Sequence, residues 1–255
     1  MTTTETRASA ASDLLLDARG ITKRFGGFVA LNRIDLAVRP GERVGLIGPN
    51  GSGKSTFTNC LCGALQTDAG SIAFAGRNID KLSSYQRARL GLGRSFQLPR
   101  PFHSLSLLDN LRIPLVYAVN ARGGAHLTEP QIRARSTDLL GEFGLGGKLH
   151  RLPGDLTQVE MRKLELARAM ATDPTLLVSD EALAGLSHSE VDEILALLLA
   201  LNERGVAVIF IEHIMRAVMA FSGRLVVLVA GEKIADGTPK DVIADERVIG
   251  AYLGQ

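Results

Sequence analysis

The chain has 255 residues, 45% of them hydrophobic and 22% charged, with 29 Lys and Arg against 27 Asp and Glu for a net charge of +2. That is ordinary globular composition, and it excludes a disordered, collagen-like or strongly basic nucleic-acid-coating chain; no nucleic-acid partner is expected. The length sits at the upper edge of one domain and leaves room for an inserted lobe.

Residues 1–12 have no cationic start followed by an apolar run, so they read as a disordered tail and not as a leader or anchor. An apolar opening, a turn at Gly26 and Gly27, and an alternating run to Val38 predict antiparallel strands, closed by Arg39-Pro40-Gly41. Residues 43–47 (RVGLI) predict a short strand. A glycine-rich turn follows, then a helix from about Ser55 with Phe57, Cys60, Leu61, Ala64 and Leu65 on one face. The only cysteines, Cys60 and Cys62, are two apart in that helix and point away from each other, which excludes a disulfide framework or zinc knuckle and fits a reducing compartment.

Helices are predicted at 109–120, 131–143 and 157–170, with no strand pattern between Pro99 and about Arg168; residues 141–147 read as a loop or helix end. Apolar strands recur at 175–179, 206–211 and 225–230, separated by helical patterns, so the core is α/β with parallel strands. The longest apolar run, 194–201, is far short of the ~20 residues that cross a bilayer.

The chemistry concentrates at three places. Gly48, Pro49, Asn50, Gly51, Ser52, Gly53, Lys54, Ser55 and Thr56 satisfy G-x-x-x-x-G-K-[ST], with a strand before and a helix after. Glycines there let backbone amides approach phosphate oxygens, Lys54 offers a point charge to the β and γ phosphates, and the Ser55 hydroxyl suits Mg²⁺. An accidental glycine-rich turn is the alternative. Asp180 and Glu181 end the 175–179 strand, where a metal partner belongs in an open α/β sheet: Asp180 would hold the metal through water, and Glu181 would polarise the attacking water. The alternative is a solvated acidic turn. His213 follows the next strand and is read either as a group reaching the γ-phosphate or as a structural histidine. His103, His126, His150 and His188 lack metal-like spacing and are assigned to loops or the surface.

GPNGSGKST, the strand ending Asp180-Glu181, the IEHIM stretch and Gln97 in RSFQLPRPF resemble, in order and spacing, the ATP-binding cassette (ABC) ATPases over nearly the whole chain. KRFGGFVAL, IEH and the ending ADGTPKDVIADERVIGAYLGQ are similar to the ATPase subunits of branched-chain amino-acid uptake transporters. This resemblance implies a P-loop NTPase with a RecA-like α/β core, an antiparallel β subdomain and an inserted α-helical subdomain. The boundaries are a tail at 1–12 and one ABC domain at 13–255, its core at 13–97 and 171–255 and the inserted lobe at 98–170. It implies further that Phe25 stacks on adenine, with a plain core residue as the alternative. Gln97 would touch Mg²⁺ and sense a transmembrane partner, and residues 98–104 would face that partner.

The family signature, Leu-Ser-Gly-Gly-Gln, is matched by Leu156-Thr157-Gln158-Val159-Glu160, which lacks both glycines and has an acid in place of the glutamine. In the family, each signature completes the ATP site of a second subunit. Thr157 keeps a hydroxyl, whereas Val159 crowds the backbone and Glu160 adds negative charge near an anionic ligand. Ala182, where the family usually has proline, and residues 184–187 also depart from its pattern at the dimer seam.

By resemblance, the expected activity is ATP hydrolysis with Mg²⁺ that drives uptake of a branched-chain amino acid or similar small solute. The expected partners are transmembrane permease subunits and a second ATPase, as heterodimer or homodimer, with a periplasmic solute-binding protein acting indirectly. The resemblance places the chain as a peripheral subunit on the cytoplasmic face of the inner membrane, with asymmetric sites in a heterodimer. The rival readings are an ATP-dependent switch with little turnover and a non-transport cassette ATPase.

Overall fold

The computed structural model describes residues 14–96, 98–122 and 126–253; the expected tail at 1–12 and the switch residue Gln97 lie outside the described residues. Strands β1 (Leu16–Phe25) and β2 (Phe28–Val38) pair antiparallel around the Gly26-Gly27 turn, which sets Phe25 opposite Phe28. β3 (Arg43–Ile47) is buried from Val44 onward, as a central parallel strand covered on both faces must be. It leads to α1 (Lys54–Leu61), which is shorter than its apolar spacing predicts; Ala64 and Leu65 lie past its end. Its last carbonyls are satisfied from elsewhere in the chain: the buried Arg87 guanidinium donates to Cys60 O at 2.8 Å and Leu61 O at 2.7 Å.

β4 (Ala69–Phe74) and β5 (Arg77–Asn78) extend the antiparallel sheet from β1, α2 (Ser84–Leu90) carries Arg87, and β6 (Leu92–Ser95) follows. Three helices come next: α3 (Leu107–Pro114), α4 (Glu129–Glu142) and α5 (Gln158–Met170). The helix predicted over 109–120 is broken. Pro114 has no amide to donate, and the chain loosens into a π turn at Leu115–Val119. Capping boxes start the other two helices, Thr128 with Gln131 and Thr157 with Glu160.

The remainder alternates β7 (Leu176–Asp180), α6 (His188–Glu203), β8 (Ala207–Ile211), α7 (Met215–Phe221) and β9 (Arg224–Val229), then β10 (Glu232–Gly237), α8 (Pro239–Ile243) and α9 (Glu246–Leu253). The larger sheet has the order β10-β9-β3-β8-β7-β6, parallel except for β10; the smaller, β2-β1-β4-β5, is antiparallel. β8 lies between β3 and β7, so the segments leaving these three strands share one edge of the sheet, where α/β folds hold ligands.

Each face of the large sheet has its own apolar cluster. Leu46, Val178 and Ile209 pack with Phe57 of α1 and with Ile21 and Leu36 of the small sheet. Leu177, Val208 and Phe210 share the other cluster with Phe221 and with Leu111, Leu140 and Leu164 of the inserted helices. Cys60 and Cys62 are free and buried, and burial pushes their thiols up to about 11 and about 12, which keeps both as inert thiols.

Candidate nucleotide site

The 48–56 segment joins β3 to α1, as its flanks predict. Two glycines are required by geometry. A Cβ on Gly48 would collide with the Leu228 carbonyl, and Gly53, at φ 102°, would place one 2.9 Å from the Ala30 carbonyl oxygen. The loop is also tied from outside: Gly231 N donates to Ser52 O at 3.0 Å, and Asn32 N donates to Gly231 O at 2.8 Å. β2 and the β9–β10 turn therefore hold its shape.

Lys54 Nζ donates to Gly48 O at 2.6 Å and to Pro49 O at 3.0 Å, so the cation braces the same loop whose amides it would assist. Burial lowers the Lys54 pKa, opposed by the charges of Glu181 and Asp180. Phe25, Phe28, Ala30, residues 50–56 and Glu181 line one open cleft of about 310 Å³. Phe25 is half exposed at the hairpin end, which removes the core-residue alternative. Phe28, more exposed still, lines the same cleft and was missed from sequence, where it reads as one more residue of an alternating strand.

Asp180 ends β7 and is buried, with Oδ2 accepting from Arg94 Nη2 at 2.8 Å; Arg94 also donates to Asn59 Oδ1 at 2.7 Å. Glu181 turns the chain at φ 48°, a left-handed conformation that costs a side-chain-bearing residue about 1–2 kcal/mol. Its amide donates to Ile211 O at 2.9 Å, which fixes this corner to the end of β8. The solvated-turn alternative does not account for a buried, ion-paired aspartate. His213 follows β8 with a largely exposed imidazole, while Glu212 beside it is buried. His103, His126, His150 and His188 are all exposed, as assigned.

Ser55 has an exposed hydroxyl in the cleft, and Asp180 supplies a carboxylate from the end of β7, two strands over from β3. Among the described residues, no cluster of three or more His, Cys, Asp or Glu could hold a metal on protein ligands alone. A hydroxyl with a carboxylate fits Mg²⁺, which takes few protein oxygens and completes its shell with water and phosphate.

Thr157 caps α5, and its amide donates to Glu160 Oε2 at 3.0 Å. Glu160 also receives Lys148 Nζ at 2.7 Å, and these partners hold its carboxyl below the usual range. The expected burden of negative charge at the signature is thus offset within the chain. Val159 and Leu156 pack against the helical core, and Gln158 Nε2 reaches Ala184 O at 3.4 Å.

Strand order and loop placement together define a P-loop nucleotide hydrolase of the α/β class. The profile described as ABC transporter matches residues 31–184, and the one described as branched-chain amino acid ATP-binding cassette transporter matches residues 232–255. The chain is 37% identical over 250 residues to the high-affinity branched-chain amino acid transport ATP-binding protein BraF of Pseudomonas aeruginosa, covering 94% of this chain and 98% of that one. It is 36% identical over 253 residues to LivG of Escherichia coli K12, a protein of the same description, covering 96% and 99%. The solved ADP conformation of MJ1267, an ATP-binding cassette of an ABC transporter, superposes with a TM-score of 0.84 at 30% identity, covering 95% and 99%. The chain belongs to the ABC transporter family of ATP-binding proteins, and it is an ATPase.

Proposed function

We propose that the chain hydrolyses ATP to drive uptake of a branched-chain amino acid or similar small solute, as a peripheral subunit on the cytoplasmic face of a membrane. The observation that carries this reading is the single cleft in which the phosphate loop, Lys54 and Glu181 meet, in a chain similar along its length to BraF and LivG. No helix among the described residues is long and apolar enough to cross a membrane, so permease subunits would supply the path.

In this reading the amides of residues 50–56 and the Lys54 ammonium grip the triphosphate, and Phe25 stacks on adenine, with Phe28 closing the same side. Ser55, Gln97 and Asp180 would hold Mg²⁺, which supplies charge neutralisation to the phosphates when bound. Glu181 takes the proton of the attacking water, and His213 contacts the γ-phosphate. Residues Leu156 to Glu160 would act on the ATP of a second ATPase subunit, identical or different, while that subunit's signature completes the cleft described above. In a heterodimer the two sites are then unequal. A periplasmic solute-binding protein would deliver solute without touching this chain.

A groove of about 370 Å³ beside the 96–102 segment is lined by Tyr85, Phe96, Phe102 and Tyr117. Arg94 and Arg168 stack on Phe96 and Phe102 at 5.0 and 5.1 Å. We assign it to a cytoplasmic segment of the permease, since an exposed aromatic groove lined by Phe96 and Phe102 is where closure would be transmitted. Reconstitution with the co-purified membrane partners tests the whole reading: ATP-dependent accumulation of labelled leucine, isoleucine or valine in vesicles supports it, and ATP turnover without any solute movement contradicts it.

A further inference from the structure

Glu212, between the end of β8 and His213, is left without a task by the mechanism above. Its side chain is wholly buried at the end of β8, and Oε1 accepts from the Leu183 backbone amide at 2.9 Å, in the loop that follows Glu181. Oε2 has no hydrogen-bond partner and lies 3.9 Å from Nδ1 of His213. A buried carboxyl oxygen without a partner is costly, and the exposed imidazole of His213 brings an N–H donor within 3.9 Å of it. Arg162, from α5, and Glu181, from the β7 corner, are the charged groups acting on it, and the backbone amides of Leu183 and His213 also face the carboxyl.

We propose that Glu212 is a positioning residue for hydrolysis: Oε2 receives the Nδ1–H of His213 and holds the imidazole with Nε2 turned toward the γ-phosphate, while Oε1 ties the same corner to the loop behind Glu181. A carboxylate behind an imidazole fixes its tautomer and orientation, and one residue joined to both corners would bring them into register together. The inference rests on the nucleotide-site reading given above, because it needs a phosphate for Nε2 to meet.

The test measures kcat and KM for MgATP in Glu212→Gln, His213→Ala and the double variant, each assembled with its membrane partners. The amide preserves volume. Expected are a KM within about twofold of the parent and a kcat at least about tenfold lower for Glu212→Gln, with His213→Ala costing less than about twofold more in that background. Parental kcat in Glu212→Gln, or losses that simply multiply, overturns the proposal. If the amide variant does not fold, nitrogen-15 shifts of His213 in the parent, with Mg²⁺ and a non-hydrolysable ATP analogue, decide instead: a protonated Nδ1 supports the proposal and a bare Nδ1 rejects it. Loss of ATP binding in Lys54→Ala beside an unaffected Glu212→Gln would refute this inference alone, whereas undiminished binding in Lys54→Ala would refute the nucleotide site itself.

Discussion

Arg94 and Asp180, 86 residues apart in sequence, form a largely buried ion pair at 2.8 Å across neighbouring strands β6 and β7. Asp180 therefore stands at the end of β7 already oriented, with Oδ2 engaged and its charge felt by Lys54.

Removing one partner leaves the other as an uncompensated buried charge, which costs about 3–5 kcal/mol. Arg94→Ala is expected to lower unfolding free energy by roughly 3 kcal/mol, measured by denaturant titration, whereas Arg94→Lys retains part of it. A loss below about 1 kcal/mol would show that the pair carries little of the local structure.

The two exposed rings at the β1–β2 turn give a graded prediction. Phe25→Ala is expected to weaken ATP binding by about 1–3 kcal/mol and to leave inorganic triphosphate binding unchanged, because only the base meets a ring. Phe28→Ala acts in the same direction with a smaller effect. Equal losses for ATP and triphosphate would move both residues out of the base site.

Burial raises the Glu212 pKa from its ordinary 4.5 to about 7, with the Leu183 and His213 amides opposing the shift. The unfolded chain ionises this group near pH 4.5 while the folded chain keeps its proton to about 7. Its contribution is therefore full below 4.5 and is lost as pH rises through 7, at about 1.4 kcal/mol per unit. Glu212→Gln is expected to gain stability relative to the parent between those values, read from thermal midpoints across pH. A constant difference would contradict the raised pKa.

Glu181→Gln keeps the shape of the corner and removes the proton acceptor. ATP binding is expected to persist while turnover in the assembled transporter falls about 10²–10⁴-fold. Full turnover would assign the base elsewhere.

Much of this architecture was legible because its signals are local. The runs RVGLI, LLVSD and AVIFI read as buried strands, and the phosphate loop carries its own spacing rule. What escaped depends on distant partners. β6 is only LGRS, with one apolar side chain, yet pairing with β7 completes the sheet and aims Arg94 at Asp180. Lys148 neutralises Glu160 from a separate turn, and Arg87 caps a helix 26 residues earlier, contacts that no window of neighbouring residues contains. Glu212 sits in plain view within IEH, but its burial follows from the sheet order, and only its place between β3 and β7 makes it a joint.

The most direct test is calorimetric titration of the purified full chain with ATP in magnesium buffer, beside Lys54→Ala. The expected result is a single saturable binding event in the parent that weakens at least about tenfold in the variant, as loss of one charge-assisted phosphate contact requires. Absence of binding heat in the parent, or equal affinity in both, would contradict the account.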